Sequence, residues 1–187
     1  MKKIRRVVTG HHLNGKSVIA SDQEVEGTDV PGLPGATLTT LWGADEPLSY
    51  PDDGTEPKHH AWFPPVGGFR FAAFVLAPEQ QASEGNDQEP ELPGTVVEFD
   101  HTAETERLFP GLLSTMKTDD PGMHRSATID ALYIVSGSCV LELDDNSETE
   151  LHAGDVVVQS GTMHRWHNPG TEPCQVIAFL AGANLEQ

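Results

Sequence analysis

Short apolar or alternating runs, each closed by Gly, Pro, Asp or Asn, recur along the whole chain. Apolar residues at every second position are what a half-buried strand requires. Runs of this kind cover 17–20, 37–42, 68–77, 95–101, 129–135, 138–143, 148–152, 155–159, 163–167 and 174–180. They predict an all-β protein built as a sandwich or barrel. A helical pattern is confined to 102–113, with Thr102 as N-cap and Glu104 and Glu106 near the positive end of the helix dipole, before Pro110 and Gly111 interrupt it. The stretches 43–58 and 78–94 carry turn-forming and acidic residues with little apolar content, so both read as solvated loops.

A length of 187 residues suits one domain. Eleven basic against 29 acidic residues give a formal net charge of −18, which leaves no cationic excess to neutralise a phosphate backbone. Nucleic acid is therefore not an expected partner. No apolar stretch approaches the roughly 20 residues needed to span a bilayer, and the apolar run at the N-terminus stops at Val8, short of a signal-peptide core. Cys139 and Cys174 lie far apart and form neither a disulfide framework nor a thiol metal site. A cytoplasmic location without membrane attachment is the expectation.

Candidate chemistry concentrates between Gly122 and Gly182. Alternate side chains of a strand share a face, so His124 and Ser126 point one way, and His164 and Trp166 share a face that excludes Arg165 and His167. Turn residues at Asp144, Asp145 and Asn146 and again at Gly154 fold the strands back, which lets the two histidines converge. Met123 and Met163 read as core fillers, Trp166 as a pocket wall, and Tyr133 as either a pocket donor or core.

With those residues in place, the sequence resembles the cupin superfamily, whose motifs are G-x5-H-x-H-x3,4-E-x6-G and G-x5-P-x-G-x2-H-x3-N. His124 falls on the first His, Ser126 on the second, Asp130 on the Glu and Gly137 on the closing Gly; Gly154, Gly161, His164 and Asn168 match the second motif, and Gln159 stands in place of Pro. The resemblance implies a double-stranded β-helix, or jelly-roll barrel, with an N-terminal strand extension and one short connector helix. Residues 1–111 would supply the strands, loops and connector, and 112–187 the barrel core. It also implies a homodimer and similarity to small stand-alone cupins of bacteria and fungi, most of which have no assigned reaction.

Metal-dependent relatives use three His and a Glu to hold Fe, Mn, Ni, Zn or Cu. Here the implied metal ligands are His124, His164 and Asp130; Ser126 is a poor ligand for such ions, and Asp130 is one methylene shorter than Glu. The same three residues are the catalytic candidates, with Ser126, Tyr133 and Trp166 as substrate-binding candidates, and no organic cofactor is suggested. Three functions stay open. One is a small-molecule enzyme with a metal-assisted reaction of oxygenase, decarboxylase, dehydratase or isomerase type. The others are a metal-free isomerase or lyase using His as acid or base, and a non-catalytic binder of a small-molecule ligand.

Overall fold

The computed structural model describes residues 3–84 and 101–184. Eleven strands dominate it: β1 (Ile4–His11), β2 (Ser17–Val25), β3 (Thr28–Asp29), β4 (Ala36–Ala44), β5 (Phe69–Leu76), β6 (Thr128–Ser136), β7 (Ser138–Leu143), β8 (Glu148–His152), β9 (Val156–Ser160), β10 (His164–His167) and β11 (Cys174–Gly182). One large antiparallel sheet runs β3-β4-β5-β11-β6-β9, a smaller one runs β10-β7-β8, and β1 and β2 form a separate hairpin. The barrel wall thus draws on both halves of the chain, because β4 and β5 lie beside β11 and β6.

Alternation along β6 shows why these residues form a wall. Thr128, Asp130, Leu132 and Ile134 are buried, while Ile129, Ala131, Tyr133 and Val135 are exposed. Leu132 and Ile134 join Val176, Ala178, Leu180, Cys139 and Cys174 in the main core. Fully burying a side chain such as Ile134 contributes about 1.5–3 kcal/mol. The hairpin expected at Asp144–Ser147 forms, with Leu143 N–H donating to Ser147 O at 2.9 Å and Asn146 at φ 62°. Gly137, the closing glycine of the first motif, sits at φ 74° between β6 and β7, where a Cβ would lie 2.4 Å from Pro173 O. Only glycine fits there, which gives that motif position its physical meaning.

Several expectations change. The strand predicted over 95–101 does not hold at its end: His101 opens helix α2 (His101–Leu108), and 95–100 lie outside the described residues. The helix predicted over 102–113 is shorter, with Thr102 inside it, and a separate 3-10 turn follows at Leu113–Thr115. Of the loop predicted over 78–94, the described part contains helix α1 (Glu79–Glu84). Strand β1 lies outside the expected strands, because Ile4–His11 has two adjacent arginines and no clean alternation.

Helix α2 docks through buried Thr105, whose hydroxyl donates to Pro31 O at 2.7 Å, and Phe109 and Leu112 pack on Val30 in a second cluster. This places Leu112 and Met116 at the barrel interior. Among the described residues, no helix is long and apolar enough to cross a membrane.

Where β11 ends, Gly182 N–H donates to Gly68 O at 3.0 Å, and a Cβ on Gly182 would lie 1.8 Å from Pro65 O. Gly182→Ala should force the 64–68 segment away from the strand end and cost about 1–3 kcal/mol. Urea unfolding of the variant checks this, with a midpoint equal to the parent's counting against the packing described.

Candidate functional site

An interior cavity of about 330 Å³ opens between the sheets, in the range of small-molecule sites. Trp62, Phe63, Phe74, Leu132, Leu180 and Trp166 wall it, and His124, Ser126, Asp130, Gln159 and His164 also line it. Trp166 packs edge-on to Phe74 with ring centroids 5.8 Å apart.

The two histidines meet because their backbones pair directly. His124 N–H donates to His164 O at 2.8 Å, and His164 N–H returns a bond to His124 O at 3.0 Å. Residues directly opposite in an antiparallel pair project to the same face, and the ring centroids are 4.2 Å apart. Each ring is oriented by the same local device. Nδ1–H of His124 donates to Gly122 O at 3.0 Å, and Nδ1–H of His164 donates to Thr162 O at 2.8 Å. A carbonyl can only accept, so both Nδ1 atoms carry hydrogen and, in the neutral rings, both Nε2 atoms keep a lone pair.

Burial lowers the pKa of both rings. That of His164 falls to about 4, through burial first and then the neighbouring His124, with the Thr162 carbonyl opposing. That of His124 falls through burial against the opposing Gly122 carbonyl. Both rings are therefore neutral at pH 7.

Gln159 is the residue whose role the sequence did not suggest. It is directly opposite Asp130 in the β6–β9 register and is buried. Its Nε2–H donates to His164 Nε2 at 3.0 Å and to Asp130 Oδ2 at 3.3 Å. The reverse amide orientation would aim Oε1 at a lone pair and a carboxylate, so the hydrogen bonds themselves orient the amide. Gln159 Oε1 and Asp130 Oδ1 are buried without hydrogen-bond partners among the described residues. Burial pushes the Asp130 carboxyl up to about 6, with the Thr128 hydroxyl pulling the other way.

Five of the six candidates read from sequence line this cavity: His124, His164, Asp130, Ser126 and Trp166. Tyr133, among the substrate-binding candidates, does not. It alternates against inward Asp130 and Leu132, faces outward and is 48% exposed. The signal for this was present, because Tyr133 has the opposite parity to Ser126, Thr128 and Asp130 along one extended run.

A metal held by His124, His164 and Asp130 requires three donor atoms around one point. Their ligand atoms do not form a group lying mutually within 4.8 Å; among the described residues only Glu142, Glu148 and His167 do. Ser126 Oγ is engaged with Thr128 Oγ1 at 2.7 Å, and the Gln159 amide occupies His164 Nε2. As arranged, the cavity residues do not fit a transition metal held by three side chains of this chain. The Glu142 group is different in character, because Arg165 already forks onto Glu142 at 2.6 and 2.7 Å, and His167 Nδ1 faces Glu79 at 3.0 Å.

A buried histidine pair beside a largely apolar cavity between the two sheets is the candidate small-molecule site. The chain matches the family described as Cupin domain over residues 114–180. Over 50 residues it is 38% identical to "Oryzines biosynthesis cluster protein J" of Aspergillus oryzae, a match covering 27% of this chain and 28% of that protein's length. Among solved structures, a cupin 2 conserved barrel domain protein from Salinispora arenicola is 18% identical with a TM-score of 0.41, covering 87% of this chain and 92% of that one. The polyketide cyclase RemF from Streptomyces resistomycificus is 14% identical with a TM-score of 0.42, covering 87% and 82%.

Proposed function

We propose that the cavity is the site of a metal-free acid/base enzyme acting on a small molecule, an isomerase or lyase in which His124 Nε2 takes a substrate proton. The observation that carries this reading is the fixed tautomer pair: both Nδ1–H groups are held by backbone carbonyls, and among the described residues no hydrogen bond occupies His124 Nε2. His164 Nε2 is already engaged by Gln159, so His124 is the open base and the Asp130–Gln159–His164 chain holds its partner in place. Asp130, pushed up to about 6 and so mainly carboxylate at pH 7, accepts the Gln159 amide, and the proton taken up by His124 Nε2 is returned from that same atom to the product. The metal-assisted alternative needs a third ligand in the cavity that this arrangement does not supply.

The test is deuterium uptake at the α-carbon of 2-tetralone, an easily enolised apolar ketone, in D2O with chelator present, alongside metal content per chain. The reading predicts accelerated exchange with substoichiometric metal, reduced on the order of 10²-fold in His124→Ala. Exchange that disappears with chelator, together with one transition metal per chain lost in both His124→Ala and His164→Ala, would contradict it. Saturable binding of a small molecule without exchange would favour a non-catalytic binder.

A homodimer is part of the same proposal. Its support is the outer face of the large sheet, where Phe71, Phe179, Ile129, Tyr133, Val156 and Val158 are exposed on a chain of net charge −18. Exposed apolar faces of this kind mark association surfaces. Sedimentation should give twice the 20.2 kDa chain mass for the parent and the single-chain mass for Val158→Glu. A monomeric parent at micromolar concentration would remove this part of the proposal.

A further inference from the structure

The polar and aromatic residues lining the cavity impose opposite demands on whatever enters it. Three acceptors on residues lining the cavity have no hydrogen-bond partner among the described residues: His124 Nε2 with its lone pair, and the buried Asp130 Oδ1 and Gln159 Oε1. The Gln159 amide is directed at His164 and Asp130, and the Ser126 and Thr128 hydroxyls are bonded to each other. The walls supply aromatic faces from Trp62, Phe63, Phe74 and Trp166. No Arg or Lys lines the cavity among the described residues, and the segment 85–100 contains neither residue type. An anion entering this cavity would lose its hydration beside Asp130 with no cation to offset the loss. A ligand with a hydroxyl would supply the missing donor.

We infer that the site takes a neutral, largely apolar ring compound bearing a hydroxyl, a phenol or enol, and excludes carboxylates and phosphates. This rests on the reading that the chemistry is at His124 and His164, and it adds the class of substrate to it. Gln159 and Asp130 are then specificity-determining residues, since they present the acceptors that a hydroxyl satisfies and a carboxylate does not.

Calorimetric titration of the full chain with 2-naphthol, 2-methoxynaphthalene and 2-naphthoate at pH 7 separates the terms, because the three share a ring system and differ in donor and charge. The inference predicts one 2-naphthol per chain, with the methyl ether and the carboxylate each bound at least about tenfold more weakly. Gln159→Leu, checked for an unchanged circular-dichroism spectrum, should narrow the gap between naphthol and ether. Equal or tighter binding of 2-naphthoate, equal binding of the ether, or binding of none of the three would overturn the inference. Its failure is distinguishable from that of the catalytic reading: 2-naphthol preference without tetralone exchange retains the ligand class and removes the enzyme, and exchange with carboxylate preference does the reverse.

Discussion

Arg70→Met should destabilise the protein by about 3–5 kcal/mol, the scale for removing one partner of a buried ion pair. Arg70 is only 2% exposed, and every guanidinium nitrogen is in use. Nε and Nη2 donate to Ala61 O at 3.1 and 2.8 Å, Nη1 donates to Ala44 O and Phe69 O at 3.0 and 2.9 Å, and Nη2 also reaches Asp45 Oδ1 at 2.5 Å. One side chain thus ties strand β5 to the end of β4 and to the segment leading into Trp62 and Phe63. Methionine matches much of the stem volume and none of the donors, leaving the Ala61 and Ala44 carbonyls and the Asp45 carboxylate short of partners. Because Trp62 and Phe63 wall the cavity, ligand affinity should fall along with stability. Chemical unfolding measures the first effect and 2-naphthol titration the second. A loss below about 1 kcal/mol, the range of a surface pair, would mean that this network does not hold the segment.

Asp130→Asn is expected to act in the opposite direction, raising stability at pH 7 by about 2–3 kcal/mol. The folded-state pKa of Asp130 is pushed from 3.8 to about 6. Between those values the folded chain keeps a proton that the unfolded chain releases. The stability associated with the neutral carboxyl is therefore complete below about 3.8 and is lost as the pH rises through about 6. His164 runs the other way. Its pKa falls from 6.5 to about 4, so its contribution is present above 6.5 and is lost as the pH falls through about 4. In the parent these two trends oppose each other across the acidic range. Asp130→Asn removes one of them, and thermal melts of the variant should show stability rising steadily with pH over the His164 window. A variant with the parent's pH profile would mean that Asp130 is not held in a desolvated environment.

Much of this site was legible because strand parity transmits inward and outward positions without any knowledge of the third dimension. His124, Ser126, Thr128 and Asp130 have one parity, His164 and Trp166 another common face, and all except Thr128 line the cavity. Tyr133 broke the same rule that placed the others, and the exposed Phe179 and Val158 show how apolar the outward parity is on this sheet. Apolar content alone therefore did not identify the inside. Gln159 was harder, because Val156, Val157 and Val158 precede it without alternation; its partners follow from the Asp130 register across β6 and β9. The direct backbone pairing of His124 with His164 lies between a segment ahead of β6 and the start of β10, and no local pattern encodes that contact. Helix α2 ends at Leu108, as the Pro110–Gly111 interruption in the sequence leads one to expect. Pro110 and Gly111 stop it, and the Glu106 carboxylate accepts the Gly111 N–H at 2.9 Å to close the corner.

The acid/base role of the cavity turns on the state of two imidazole rings, and long-range proton–nitrogen NMR correlation on the chain as purified at pH 7 reads that state without a substrate. It predicts that His124 and His164 are both neutral, with hydrogen on Nδ1 and a lone pair on Nε2. An imidazolium, hydrogen on Nε2, or nitrogen shifts of a metal-bound Nε2 in either ring would contradict the acid/base assignment.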